Sequence, residues 1–221
     1  MAPQRSRQYA PGIARRAAIM ESAFTAFGTI GYWNTTLAQI AQDCGVTRAG
    51  LLHHFPTKES LLEAVLARRD EVNRDLIFGG SQDPRRNPRD FLGKLIRLVE
   101  HNASQPGIVS LFAVLGAEAT HPDHPAHAYF AGRYESVRSW IGEALRLLDQ
   151  EGGLRPGSDP TAAAIELTAL LDGLQVQWLY RPDAIDMPAL FRQRINAQLV
   201  VPLDPAELHV TPVAGSATSA E

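Results

Sequence analysis

Residues 36–55, TLAQIAQDCGVTRAGLLHHF, decide how this chain folds. Thr36-Leu37-Ala38-Gln39 has the pattern of a capping box, in which the Thr36 hydroxyl accepts from the Gln39 backbone N–H and the Gln39 side chain reaches back. A short helix then runs to about Cys44. Gly45 supplies the turn, because glycine tolerates the left-handed backbone that stops a helix. Thr47 caps a second short helix, with Val46 and Leu51 placed as a hydrophobic staple, and Pro56 ends it by disfavouring helical geometry at Phe55. Two short helices joined by a glycine-containing turn make a helix-turn-helix. Ala41 is small where the pair would cross, and Leu37, Ile40, Val46 and Leu51 would hold it rigid. An ordinary helical hairpin meets the same demands, so spacing alone leaves that alternative open.

Outward from this stretch the pattern stays helical, with no sustained two-residue alternation of Val, Ile and Thr. Upstream, Ile19, Ala23, Phe27 and Ile30 line one stripe of a helix ending near Gly28–Gly31. Downstream, Thr57 caps a helix over Lys58–Asp75, tied to a core by Leu61, Leu62, Val65 and Leu66. Gly79 to Pro84, with Pro88, is a break. Helical pattern resumes over Phe91–Ala103, Ile108–Ala119, Tyr129–Gln150, Thr161–Tyr180 and Met187–Val200. The expected fold class is therefore all-α: an N-terminal three-helix helix-turn-helix domain over residues 1–58, with a basic flexible arm at 1–12, then a second helical domain over 59–200. Residues 201–221, rich in Pro, Ala, Ser and Thr, read as a flexible tail.

The 221 residues carry a formal charge of −3 and are 45% apolar, near the globular average. That net charge hides an asymmetry. Residues 1–58 hold six basic and two acidic side chains, a charge of +4, and the remainder carries −7. A positive end on a negative body suits a chain that meets a polyanion at one end. The single cysteine, Cys44, excludes an internal disulfide. No apolar run approaches a membrane span and no export signal is legible, so a soluble cytoplasmic protein is expected.

Residues 31–62, GYWNTTLAQIAQDCGVTRAGLLHHFPTKESLL, resemble the DNA-binding signature of TetR-family transcriptional regulators. The likeness rests on Gly31-Tyr32, Thr35-Thr36, Ile40-Ala41, Gly45-Val46-Thr47, Leu51 and Phe55-Pro56 followed by Lys58, and extends over roughly residues 13–66. A weaker likeness joins Asp172-Gly173-Leu174-Gln175, running on to Trp178, to the penultimate helix of many actinobacterial members. The resemblance implies a homodimer on a near-palindromic double-stranded operator, with DNA bound by the N-terminal domain and a small-molecule effector sensed by the C-terminal one. Thr47, Arg48, Ala49 and Gly50 fall on the exposed first turns of the recognition helix. Arg48 is the candidate base reader, because its planar fork matches guanine O6 and N7; its other reading is a phosphate clamp. Thr35, Thr36, His53 and Lys58 are the expected phosphate contacts. Leu52 and His54 stand where tyrosines are usual, so any phosphate contact at 54 passes to an imidazole, and Leu52 is expected to pack inward. Arg5, Arg7, Arg15 and Arg16 could reach a neighbouring groove or phosphates.

The long helices over Tyr129–Gln150 and Thr161–Tyr180 each present an apolar face, either to a dimer-forming four-helix bundle or to the molecule's own core. The expected effector wall is Leu95, Leu98, His101, Phe112, Leu115, Trp140, Leu171, Gln175 and Trp178, apolar with few polar groups, which suits a hydrophobic or aromatic compound. Each of these also reads as plain core. His121, Asp123, His124 and His127 could gather round a metal, but two prolines interrupt them and they also read as a loop and a helix start. No metal or other cofactor is expected. No P-loop, dinucleotide-binding, zincin or nucleophile-elbow motif occurs, so the chain does not read as an enzyme. The alternative to effector sensing is a DNA-binding dimer whose C-terminal domain docks a protein partner.

Overall fold

Residues 9–204 are described by the structure, a computed structural model. Among them the chain forms nine helices: α1 (Tyr9–Asn34), α2 (Leu37–Asp43), α3 (Arg48–His54), α4 (Lys58–Leu76), α5 (Pro88–Ala103), α6 (Pro106–Glu118), α7 (His127–Gln150), α8 (Pro160–Tyr180) and α9 (Met187–Asn196). The one extended pairing among these residues is an isolated antiparallel bridge between Leu154 and Leu199. An N-terminal helix-turn-helix domain sits on a helical C-terminal domain.

Local chemistry accounts for most helix ends. Thr36, Thr47, Thr57, Asn87, Asp159 and Asp186 each accept a backbone N–H at a helix start. The capping box expected at Thr36 is half made, because the Gln39 side chain turns instead to Asp43 at 2.7 Å. The complete box lies at α4, where Thr57 and Ser60 exchange both bonds. Ile19, Ala23 and Phe27 are buried as expected, but Ile30 is exposed. The four-residue stripe continues to Gly31 instead, where φ of 80° breaks the helical path. α9 stops at Asn196, because Leu199 leaves the helix to form the bridge.

Two expectations about the ends change. α1 is already helical at Tyr9, so residues 9–12 are not a flexible arm; Arg5 and Arg7 lie outside the described residues. The expected tail is pinned at its start, with Leu203 buried, its N–H donating to Asn196 Oδ1, and Arg89 donating to the carbonyls of Val201 and Pro202. Residues 205–221 lie outside the described residues.

Two apolar cores result. The first joins Phe27, Ile40, Leu51, Phe55 and Leu61 to Leu111 and Leu115 of α6 and Phe130 of α7. The second joins α5, α7, α8 and α9 through Leu92, Ile96, Leu145, Leu167, Phe191 and Ile195. It also takes in Ile141, Ala144 and Leu148 of α7 and Leu174 and Trp178 of α8, so those apolar faces serve the molecule's own core. Each fully buried Leu, Ile or Phe contributes about 1.5–3 kcal/mol by leaving water. Because the first core draws on α6 as well as on the helix-turn-helix, it welds the DNA-binding head to the body.

Candidate nucleic-acid interface

α3 is only seven residues long and cannot hold its shape alone. Its underside fixes it: Leu51 and Phe55 are buried against Ile40 and Ala41 of α2, and Val46 packs against the same core. The Thr47 hydroxyl accepts the Gly50 N–H at 3.0 Å, so the first turn is closed by the side chain that opens it. With the inner face anchored, Thr47, Arg48 and Ala49 are exposed, Gly50 is half-buried, His53 is exposed and His54 half-buried. The rings of His53 and His54 meet edge-on at 5.5 Å. Thr36 is exposed at the neighbouring N-terminus of α2. This gathers Thr36, Thr47, Arg48, Ala49 and His53 on solvent-facing ends of two adjoining helices. Leu52, expected to pack inward, is only half-buried and belongs to neither core.

Two expected phosphate contacts turn inward instead. Thr35 is 1% exposed, and its hydroxyl donates to the Gly31 carbonyl at 2.6 Å. Lys58 folds back over the end of α1, its ammonium donating to the carbonyls of Tyr32 at 3.0 Å and Thr35 at 2.9 Å. The same nitrogen lies 4.1 Å from the centre of the Tyr32 ring. A helix end leaves carbonyls without partners, and a nearby cation satisfies them. Burial lowers the Lys58 pKa, opposed by the carboxylates of Glu59 and Glu118. Arg16, on α1, is likewise engaged, its guanidinium stacked 4.7 Å from the Phe55 ring centre, whereas Arg15 is exposed.

The residue that organises this corner is Tyr32, which sequence reasoning used only as part of a motif. Its ring is buried, its hydroxyl donates to Glu59 at 2.7 Å, and its backbone N–H donates to Glu118 of α6, also at 2.7 Å. Burial first, and then the bond to Glu59, raise the Tyr32 pKa, while that bond lowers the Glu59 pKa. Glu118 can approach because position 31 is glycine: a Cβ there would lie 2.2 Å from Glu118 Oε1. Gly28 permits the same closeness one turn earlier, where the Ser110 hydroxyl donates to its carbonyl. α6 therefore holds the C-terminal end of α1 by its backbone. No sequence signal separates Glu118 from the other surface acids, because its partner is 86 residues away.

The histidine cluster comes apart. His124 is buried edge-on to Tyr32 and Trp33, its Nδ1 accepting the Ala126 N–H and its Nε2 facing Glu118 at 3.7 Å. His127 Nδ1 meets the Ala119 carbonyl, and the His121 ring accepts the Asp123 N–H. Among the described residues no three His, Cys, Asp or Glu side chains converge as a metal site.

Of the nine residues expected to wall one effector pocket, seven are divided between the two cores, and His101 and Gln175 belong to neither. Leu115 is fully buried in the first, with Phe112 packed on it and stacked beneath the Arg133 guanidinium at 4.6 Å. Leu95, Leu98, Trp140 and Leu171 flank the second, and Trp178 is inside it. His101 pairs with the Gln105 side chain, and Gln175 is half-buried on α8. Trp140 also borders a hollow of about 250 Å³ between α4 and α7. That hollow adjoins another of about 320 Å³, and the two share Asp70, Arg74 and Tyr129. Sequence reasoning missed this flank because its polar residues looked like the solvent face of an amphipathic helix.

Comparison with known proteins agrees with this geometry at both ends of the chain. Residues 19–65 match the family described as bacterial regulatory proteins, tetR family, and residues 89–200 match the C-terminal domain of BetI-type transcriptional repressors. The chain belongs to the TetR family of transcriptional regulators. Among its TetR-family relatives, the regulator TtgR of Pseudomonas putida is 29% identical over 175 residues, 78% of this chain and 83% of TtgR. A transcriptional regulator from Saccharomonospora viridis, solved in complex with choline, superposes with a TM-score of 0.68 at 23% identity, over 85% of this chain and 98% of that one. The SmeT–triclosan complex superposes with a TM-score of 0.65 at 21% identity, over 84% of this chain and 92% of that one. TetR-family membership makes the chain a DNA-binding transcriptional regulator carrying a helix-turn-helix. Among the described residues no helix is long and apolar enough to cross a membrane.

Proposed function

We propose that the chain is a repressor that binds a near-palindromic operator as a homodimer and is released by a small effector with an apolar body. The observation that carries this reading is the α3 start: Thr47, Arg48 and Ala49 are exposed on a helix whose underside is locked by Leu51 and Phe55. In this reading Arg48 reads a base edge in the major groove, while Thr36, Gly50, His53 and His54 border the adjoining phosphates. Two such helices must enter successive grooves about 34–36 Å apart, which calls for a second copy. An exposed apolar stripe on α8 (Ile165, Val176, Leu179, Tyr180), with Leu190 of α9, is suited to that partner.

Effector sensing is supported by similar folds that hold choline and triclosan, and by the hollows along α4. Two elements connect that region to the head. α4 begins beneath α1 at Lys58 and continues to the hollows, and α6 grips the end of α1 through Glu118. An effector that tilts α4 by favouring one of two packings changes the separation of the recognition helices. Such coupling is typically about 1–3 kcal/mol, enough to vacate an operator held near its working affinity.

Selection of bound sequences from random duplex DNA by the purified full-length chain tests the reading. An inverted repeat with half-sites one helical turn apart is expected. Recovery of no preferred sequence, or of a single unrepeated site, would count against it.

A further inference from the structure

Inside the body, α4 turns two polar residues of one helical face away from solvent. Arg69 is 7% exposed and Asn73, one turn later, is 5% exposed. One Arg69 nitrogen donates to Asn102 Oδ1 at 2.6 Å, but among the described residues no group pairs with its Nε, nor with Asn73 Oδ1. The nearest acid on the same helix is committed elsewhere: Asp70 accepts from the Tyr129 hydroxyl at 3.0 Å and from Arg133 at 3.1 Å. Among the described residues Arg69 forms no ion pair with any carboxylate.

A guanidinium shut away from water with one neutral partner is costly, and folded proteins rarely retain one unless its charge has a use. Its surroundings add positive potential. Arg133, the second guanidinium, is close enough to depress Arg69, whose pKa is brought down by burial first and by Arg133 second, to about 10. The cation therefore persists at neutral pH. His101 has its pKa lowered by burial and then by Arg69, which keeps its ring neutral, and burial raises the pKa of Asp172. Arg69 and Arg133 thus place two positive charges beside Asp70, whose carboxylate is committed to Tyr129 and Arg133, with Asp172 also within reach of Arg133.

Asp70, Tyr129 and Arg133 also connect this interior to the surface. All three border the hollows between α4 and α7, and all three lie within electrostatic reach of Arg69. The walls mix apolar residues, Leu62, Leu66 and Ala67 on one side and Val137 and Trp140 on the other, with the polar Glu63, Arg74 and Gln82. The Arg69 fork borders neither hollow itself but lies within electrostatic reach of Asp70, Tyr129 and Arg133, which do; fork and apolar wall residues together match an amphiphilic anion, since a carboxylate oxygen pair fits guanidinium donors bidentately.

Resting on the effector-sensing reading above, we propose that Arg69 is the anchor for an effector with a carboxylate head on an apolar body, entering between α4 and α7, with the Asn73 amide beside the head group. A quaternary ammonium head would meet the like charge of Arg69 at this anchor and is not expected to bind there.

The test compares isosteric probes on the full-length chain: octanoate against octanamide, benzoate against benzamide, and choline. Calorimetric titration and thermal shift are run alongside operator binding. At least one carboxylate is expected to bind about tenfold or more tightly than its amide and to weaken operator binding, with choline inert. Arg69→Met is expected to erase the preference for the carboxylate, retain operator binding without probe, and melt no lower than the parent, because a methionine of similar length fills the same space without an unpaired charge. Arg69→Lys keeps the charge without the fork and is expected to bind the carboxylate more weakly than the parent. Amides binding as tightly as carboxylates, choline binding in preference, or no carboxylate binding at millimolar concentration would overturn the assignment. So would a melting point several degrees lower in Arg69→Met, which would make Arg69 a strut acting through Asn102. Failure of the parent chain to bind any operator would instead sink the regulator reading itself.

Discussion

Polar groups that turn inward in the head of this molecule are met by partners close at hand. The Thr35 hydroxyl bonds to the Gly31 carbonyl, the Lys58 ammonium to two carbonyls at the end of α1, and the Tyr32 hydroxyl to Glu59. In the body, Arg69 and Asn73 are also buried, and among the described residues each keeps a polar atom without a partner. A satisfied network in a low-dielectric interior has one favourable arrangement and resists change. An unsatisfied one gains from any rearrangement or ligand that completes it. The head is built as a rigid reader, and the body keeps its unmet polarity where a signal can act. Between them lies the joint of Gly31, Tyr32, Glu118 and His124.

The contrast between head and body breaks most readily at that joint. Gly31→Ala forces a side chain into a backbone region that is nearly exclusive to glycine and displaces Glu118 from the Tyr32 N–H. The strain and the lost bond together should cost roughly 2–5 kcal/mol, read by urea unfolding. An unchanged midpoint would show that the joint is slack. Next in size is Arg48→Ala on the exposed reading face. It should leave stability untouched and remove about 1–3 kcal/mol of operator binding while sparing random DNA, read by anisotropy at fixed salt. Equal loss on both DNAs would reduce Arg48 to a phosphate clamp.

Lys58→Met separates two roles for one cation. As a cap on α1 it should lower stability by about 1–2 kcal/mol, discounted for its half-exposed position, and leave the salt dependence of DNA binding unchanged. A flatter salt slope would restore Lys58 to the phosphates. The smallest effect is a pH dependence at the joint. Burial lowers the His124 pKa below its ordinary value of 6.5, more strongly than Glu118 raises it. The unfolded chain then takes up a proton before the folded one, so stability is greatest above about pH 6.5 and declines as the pH falls through and below it. His101 acts in the same direction. His124→Phe, which keeps the ring contacts with Tyr32 and Trp33, should flatten the decline between about pH 7.5 and 5.5. An identical slope would assign it elsewhere.

Much of the head was legible because its determinants are local. Thr47 three residues from Gly50, Gly45 at φ of 67°, and Pro56 after Phe55 each act within one turn of chain and set the two short helices, while the proposed reading face came from the family resemblance. The inward turn of Lys58 and Thr35 was not legible for the same reason. Polar residues beside a reading helix look like phosphate contacts until the end of α1 is seen to need their donors. The effector wall was misjudged from the other direction, since apolar periodicity finds what is buried and does not divide it between two cores. Phe112 and Leu115 went to one and Leu95 and Trp178 to the other.

By itself the sequence determined the helices, their caps, the breaks between them and the positive charge at one end, all consequences of interactions spanning a few residues. Only the tertiary structure decided which polar groups meet. Glu118 finds the Tyr32 N–H across 86 positions, and Arg69 finds Asn102 across 33 but, among the described residues, no carboxylate within ion-pair distance. Whether a buried charge is satisfied depends on the partners that packing delivers, and no local pattern records them.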